Sequence, residues 1–156
     1  MILDVGCGYL PKGDVNTDLF LTDKKGHRMQ ESSLKEIKIS NFVLCDAQHL
    51  PFKSNTFSKV VSHHVIEHVN FPHLMLKELI RCSGDEIEVK CPHRLGDKFI
   101  DLLGWQNSTH KHFFNMGWFR DYGAKYGCYV KVYHNVRSFI FLSFPLEIKA
   151  LMKKRG

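Results

Sequence analysis

"VLCDAQHLPFKSNTFSKVVSHHVIEHV", residues Val43 to Val69, decides how the rest of the chain is read. An apolar run ends on Asp46, turn signals "LPF" and "KSNT" follow, and a β-branched run "FSKVVSHH" comes next. That order predicts strand Asn41–Asp46, a turned connection and strand Phe57–His64. Working upstream, Met1–Val5 reads as a buried strand feeding the glycine turn "GCG", and "DVNTDLFL" (Asp14–Leu21) as a second strand. Between them and Val43, "MQESSLKEIKI" places Met29, Leu34 and Ile37 at helical spacing. Downstream, "FPHLMLKELIRC" predicts a helix with Pro72 near its start, and "DEIEVKCP" a strand stopped by Pro92. "NMGWFRDYGAKYG" predicts a helix capped by Asn115 and stopped by Gly127. "CYVKVYH" and "RSFIFLSF" then read as two strands joined by a hairpin. Strands alternating with helices, closed by a hairpin, predict an α/β fold, a three-layer and mostly parallel sheet in one domain spanning 1–156.

Composition sets the outer limits. The 156 residues are 44% hydrophobic and 24% charged, as in an ordinary globular domain. The net charge of +6 favours an anionic partner, so nucleic acid is not excluded, but the basic residues are spread through the chain. The one dense run, "KALMKKRG", reads as a solvated helix end. Five scattered cysteines with no C-x-x-C suggest neither a disulfide framework nor a cysteine zinc site, and point to a cytoplasmic setting. "MILDVGCG" lacks the basic opening of a signal peptide, and "FIFLSF" is too short to span a bilayer.

Open parallel sheets bind ligands at the carboxyl ends of their strands, where strand order reverses. Glycines after strand one let backbone approach a ligand closely. Asp18 on strand two is suited to accept both hydroxyls of a ribose. Asp46 after strand three is suited to an adenine amino group, with the following N–H donating to the ring. Together these suit a nucleoside-containing cofactor.

These features resemble the class I S-adenosylmethionine-dependent methyltransferases, in their type 11-like branch and in a minimal form. The resemblance rests on "ILDVGCG" (Ile2–Gly8), "VNTDLF" (Val15–Phe20), the segment Val43–Val69 and "LKELIRCSGDEIEVKCP" (Leu76–Pro92). It implies a Rossmann-like sheet of order 3-2-1-4-5-7-6 with strand seven antiparallel, and S-adenosyl-L-methionine as cofactor. It further implies that Gly6, Cys7 and Gly8 line the methionine part, while Asp4 orients their loop. Asp18 would bind the ribose, and Asp46 with the Ala47 N–H the adenine. Ser62 and His63 would lie beside the sulfonium.

The chain also departs from the pattern. Leu10 replaces the usual third loop glycine, and "CSGDE" stands where P-G-G often precedes strand five. Only Gly6 to Asp14 separate the first two strands, too few for a crossover helix, which is expected to be short or absent. The chain opens on strand one, so a second copy, substrate or protein partner is expected to help cover the site. An alternative is therefore a partner-dependent or degenerate cofactor-binding subunit. A nicotinamide-dependent oxidoreductase is disfavoured because G-x-G-x-x-G fails at Pro11.

His64 to His68 also spells H-x-x-E-H, the zinc pattern of the inverzincin peptidases. Such a site needs both histidines on one long helix, whereas here the pattern continues a strand and Pro72 follows closely. It reads as a chance match, with Glu67 and His68 bracing a loop, and no metal is expected. Methyl transfer needs a base only if the acceptor must lose a proton, and His63, His64, His110 and His112 are candidates. "NSTHKHFFN" is placed to close over substrate. No D/N-P-P-Y follows strand four, which argues against amino-methylation of DNA bases or glutamine. Trp105, Phe113, Phe114, Trp118 and Phe119 read as core more readily than as an acceptor pocket. The acceptor is not named by the sequence, though a small or medium-sized molecule is favoured over RNA or protein.

Overall fold

A computed structural model of the chain describes residues 1–8, 10–20, 39–96, 98, 110–139 and 142–155. In order they form β1 (Ile2–Val5), β2 (Val15–Asp18), β3 (Phe42–Leu44), β4 (Phe57–His63), α1 (Pro72–Cys82), β5 (Ser83–Pro92), α2 (Met116–Lys125), β6 (Cys128–Phe139) and β7 (Leu142–Lys154). The seven strands make one sheet of order 3-2-1-4-5-7-6, in which β7 runs antiparallel to β5 and β6. Strands β1 to β5 are parallel. The expected Rossmann-like methyltransferase topology is therefore present. No helix stands between β1 and β2 among the described residues, as the short connection predicts.

Period-two alternation gives the sheet two unlike faces. The row Leu3–Val60–Ile87–Met152 runs across four strands, each residue at most 2% exposed. Helices α1 and α2 both lie on this face. α1 starts where Pro72 supplies a fixed φ and no N–H to leave unpaired, and it buries Met75, Leu76, Leu79 and Ile80. α2 is capped by Asn115, whose Oδ1 accepts the Trp118 N–H at 3.0 Å, and it ends beside Gly127 at φ 75°. Phe114 and Phe119 are buried and Trp118 packs on them, so these aromatics are core, whereas Phe113 is exposed. Trp105 and most of "MQESSLKEIKI" lie outside the described residues.

The opposite face is polar. One row reads Lys59–Glu86–Lys153–Tyr129 and the next but one His63–Lys90–Lys149–Tyr133. Between them stands Glu88, with the ammonium groups of Lys149 and Lys59 at 3.3 and 3.5 Å. Burial opposes its charge, but Lys149, His63 and Lys59 prevail and hold its carboxyl below the ordinary range.

The C-terminal strands need a correction. Arg137–Phe144 is not one strand: β6 continues to Phe139, and the chain reverses before Leu142. β7 then runs through "KALMKK", read above as a helix end. Ile148, Ala150 and Met152 are buried while Lys149 and Leu151 alternate with them, a period of two that the terminal charges disguise. "VIEHV" forms a turn after β4, and α1 begins only at Pro72. No described helix is long and apolar enough to cross a membrane.

Candidate cofactor and acceptor site

The sheet order reverses at β1, which lies between β2 and β4, and the expected ligand-binding residues gather at the carboxyl ends of these strands. The loop after β1 turns through Gly6 (φ 74°) and Gly8 (φ 53°), both left-handed. A Cβ at Gly6 would collide with Val65 Cγ2, so glycine is required there by conformation and by space. At Gly8 nothing stands within 4 Å of such a Cβ. The Gly6 and Cys7 N–H groups donate to the Thr17 carbonyl at 2.8 and 3.0 Å, which ties the loop to β2.

Asp4 is 4% exposed, and its carboxylate accepts the Lys12 N–H at 2.8 Å, which ties it to the loop. Burial raises its carboxyl above the usual range, and the Lys12 N–H and ammonium partly offset this. Asp18 faces the loop, accepting the Gly8 N–H at 2.9 Å and the Phe20 N–H at 3.2 Å. Asp46 is turned onto Gln48, whose backbone N–H and side-chain amide reach it at 2.8 and 3.0 Å. Gln48 also accepts the Phe71 N–H at 2.7 Å, joining the loop after β3 to the start of α1. Sequence reasoning missed Gln48. Its only signal was its place two residues after the acid.

Other expected residues play different parts. Cys7 is buried, and burial followed by the charges of Asp18 and Asp4 pushes its thiol up to about 12. It lines the loop as an inert neutral group. Ser62 is fully buried and donates to the Val5 carbonyl at 2.9 Å, so its hydroxyl ties β4 to β1 inside the sheet. Ala47 is half-buried beside Asp46.

His63 ends β4 at the same edge. Its Nδ1 lies 2.9 Å from the Lys12 ammonium and its Nε2 3.1 Å from Glu88. An ammonium can only donate, so Nδ1 accepts and Nε2–H donates to the carboxylate. Burial, then the charges of Lys12 and Lys90, hold His63 below the ordinary imidazole value, so its ring is neutral. His64 sits at a left-handed φ of 57° and contacts Glu147 at 3.0 Å and Glu67 at 3.6 Å. Glu67 raises its titration against the effect of burial, so His64 serves better as a donor than as a base. His110 packs its ring on His68 at 5.0 Å, and His112 lies near Phe114. The structure thus brings His63 to the loop and groups His64, His68 and His110 around Glu67.

Comparison with known proteins agrees with this geometry. A family model described as "Methyltransferase domain" matches residues 3–84, just over half of the 156 residues, and the chain belongs to that family. It is 38% identical over 118 residues to an uncharacterized methyltransferase of Schizosaccharomyces pombe, covering 65% of this chain but 40% of that protein. An S-adenosylmethionine-dependent methyltransferase from Archaeoglobus fulgidus has a similar fold, with TM-score 0.70 and 16% identity over 98% of this chain and 85% of that one. Magnesium protoporphyrin IX methyltransferase from Synechocystis, solved with S-adenosylhomocysteine, matches with TM-score 0.64 and 15% identity over 99% of this chain and 74% of that one. The family and fold together imply S-adenosylmethionine as the cofactor.

The residues fit it. The glycine backbone at Gly8 is open, and among the described residues the Asp18 carboxylate is held only by backbone N–H groups. A carboxylate has acceptor sites beyond those two bonds, enough for a diol.

Proposed function

We infer that the chain transfers a methyl group from S-adenosylmethionine to a small or medium-sized acceptor. The observation that carries the reading is the meeting of the open Gly8 backbone with the Asp18 carboxylate, 2.9 Å apart, at the point where the sheet order reverses. Gly6 to Gly8 would hold the amino-acid end, Asp18 the ribose, and Asp46 with the Ala47 N–H the adenine. When bound, the cofactor supplies a sulfonium methyl that an acceptor lone pair takes by in-line displacement. The chain's contribution is then chiefly positioning. Gly6 fixes the loop against Val65, Asp4 fixes its far end, and His63 at the end of β4, its ring held between Lys12 and Glu88, would border the acceptor.

A second reading is favoured by exposed apolar residues flanking the loop: Leu10 at 64%, Leu19 at 55% and Phe20 at 66%. These would be covered by a second copy or a protein partner that completes the site. The test is melting temperature with and without S-adenosylhomocysteine, using Asp18→Ala as control. At about a hundred times the dissociation constant, bound ligand adds roughly 2.7 kcal/mol of stability. A rise that Asp18→Ala abolishes supports the first reading. A rise only above the concentration at which the chain self-associates supports the second, and no rise in either state overturns both.

A further inference from the structure

Among the described residues, Glu67 is the one buried acid near the site with no hydrogen-bonded carboxylate oxygen. Its side chain is 1% exposed, and neither oxygen has a hydrogen-bond partner among the described residues. Its contacts to His64 Nδ1 at 3.6 Å and His68 Nε2 at 3.9 Å are too long to be hydrogen bonds. A carboxylate removed from water without hydrogen-bond donors is costly, and its nearest basic group, His64, stands only within ion-pair range at 3.6 Å, which leaves room for a closer cation.

The surroundings supply further ligands. Donor atoms of Glu67, His68 and His110 all lie within 4.8 Å of one another. Three donors at the usual ~2.1 Å from a zinc ion stand about 3.4 Å apart, so side-chain rotations of about 1 Å close the set. The backbone is already fixed for this. The Lys111 and His112 N–H groups donate to the Glu67 carbonyl at 2.8 and 3.2 Å, and the Lys111 ammonium reaches Asn70 at 2.8 Å. These bonds clamp the segment that bears His110 across the turn that bears Glu67 and His68.

We propose that Glu67, His68 and His110 form a binding site for a divalent transition-metal ion. The H-x-x-E-H pattern is thus regrouped: His64 turns toward Glu147, and its place is taken by a histidine from the segment after β5. Two imidazoles and one carboxylate suit zinc or cobalt(II) and disfavour magnesium or calcium, which take oxygen donors. The fourth position is left to water or to an oxygen or nitrogen ligand. Val65, two residues before Glu67, packs against Gly6, so the turn that would hold the ion adjoins the glycine loop.

The experiment is a titration of the metal-stripped chain with zinc followed by calorimetry, and with cobalt(II) followed by visible absorption. Neither depends on methyl transfer. One equivalent should bind, with cobalt bands of a low-symmetry nitrogen and oxygen site and no thiolate charge transfer. His110→Ala, a half-buried loop change, should weaken zinc by at least about tenfold and bleach the cobalt bands. Glu67→Gln should do the same, and His112→Ala should leave both signals intact. Magnesium should give no saturable heat. Failure of zinc and cobalt to saturate overturns the proposal, as does binding that survives His110→Ala or shows thiolate charge transfer.

Discussion

Replacing Gly6 by alanine tests the close approach on which the cofactor loop depends. Two costs add at this position. The backbone stands at φ 74°, and an L residue in the left-handed region loses roughly 1–2 kcal/mol relative to glycine. The new Cβ would also collide with Val65 Cγ2 and come within 3.1 Å of Cγ1. Val65 is a stiff β-branched side chain packed against the core, so relieving that overlap costs a further ~1–3 kcal/mol. The expected destabilisation of Gly6→Ala is therefore about 2–5 kcal/mol, read as a lower midpoint in urea. The two terms separate in a double-mutant cycle with Val65→Ala, which removes the overlap and leaves the backbone strain. The double variant should recover about 1–3 kcal/mol of the Gly6→Ala loss relative to simple addition. Additive costs, or a Gly6→Ala change under about 0.5 kcal/mol, would refute the packing argument and with it the account of why glycine stands there.

Two further substitutions separate scaffold from site. Ser62→Ala should cost about 0.5–1.5 kcal/mol through the lost bond to Val5, while leaving S-adenosylhomocysteine affinity unchanged in calorimetry. A loss of affinity without a loss of stability would return Ser62 to the cofactor site. Glu78→Gln should cost about 1–3 kcal/mol, because Glu78 accepts the Leu50 N–H at 2.9 Å and pairs with Arg81 at 2.7 Å. The Arg81 guanidinium beside it outweighs burial and holds its carboxyl below 4.5. Its stabilisation is therefore fully present above pH 4.5 and is lost as the pH falls through the lowered folded value. Urea midpoints of the two proteins should converge on acidification, and parallel curves would refute the assignment.

Most of the strand framework was legible because each strand carries its own pattern. "ILDV", "FSKVVSH" and "EIEVKC" are β-branched runs bounded by turn residues, and such local signals survive folding unchanged. The hairpin was misread for the opposite reason. "RSFIFLSF" is apolar throughout, and a uniform run does not show where it reverses. The alternation that identifies β7 lies in "IKALMK", where Lys149, Leu151 and Lys153 alternate with Ile148, Ala150 and Met152, and the terminal lysines resemble a solvated tail until those three are seen buried. In the site, Asp4, Gly6 and Asp18 were legible because they belong to strand ends. Gln48 and the Glu67–His68–His110 grouping were not, since each depends on contacts between segments that sequence spacing does not bring together.

The same distinction explains how this fold does without a helix between β1 and β2. A crossover helix ordinarily fixes the glycine loop and points its N-terminus at the ligand. Here side chains from the strands and from Asp14 just before β2 take over the first task. Asp14 accepts the Ile2 N–H at 2.7 Å, Asp4 accepts the Lys12 N–H, and the Asn16 side chain bonds both the N–H and the carbonyl of Gly13. A Cβ at Gly13 would lie 2.5 Å from the Val15 carbonyl oxygen and 2.7 Å from the Asp4 nitrogen, so the connection closes only on glycine. Asp4, Asn16 and Thr17 are buried together at 4%, 3% and 1% exposure, although polar residues seldom are. Their concentration at this one place is the structural consequence of the short connection: the hydrogen bonds a helix would have supplied from its backbone come from side chains instead.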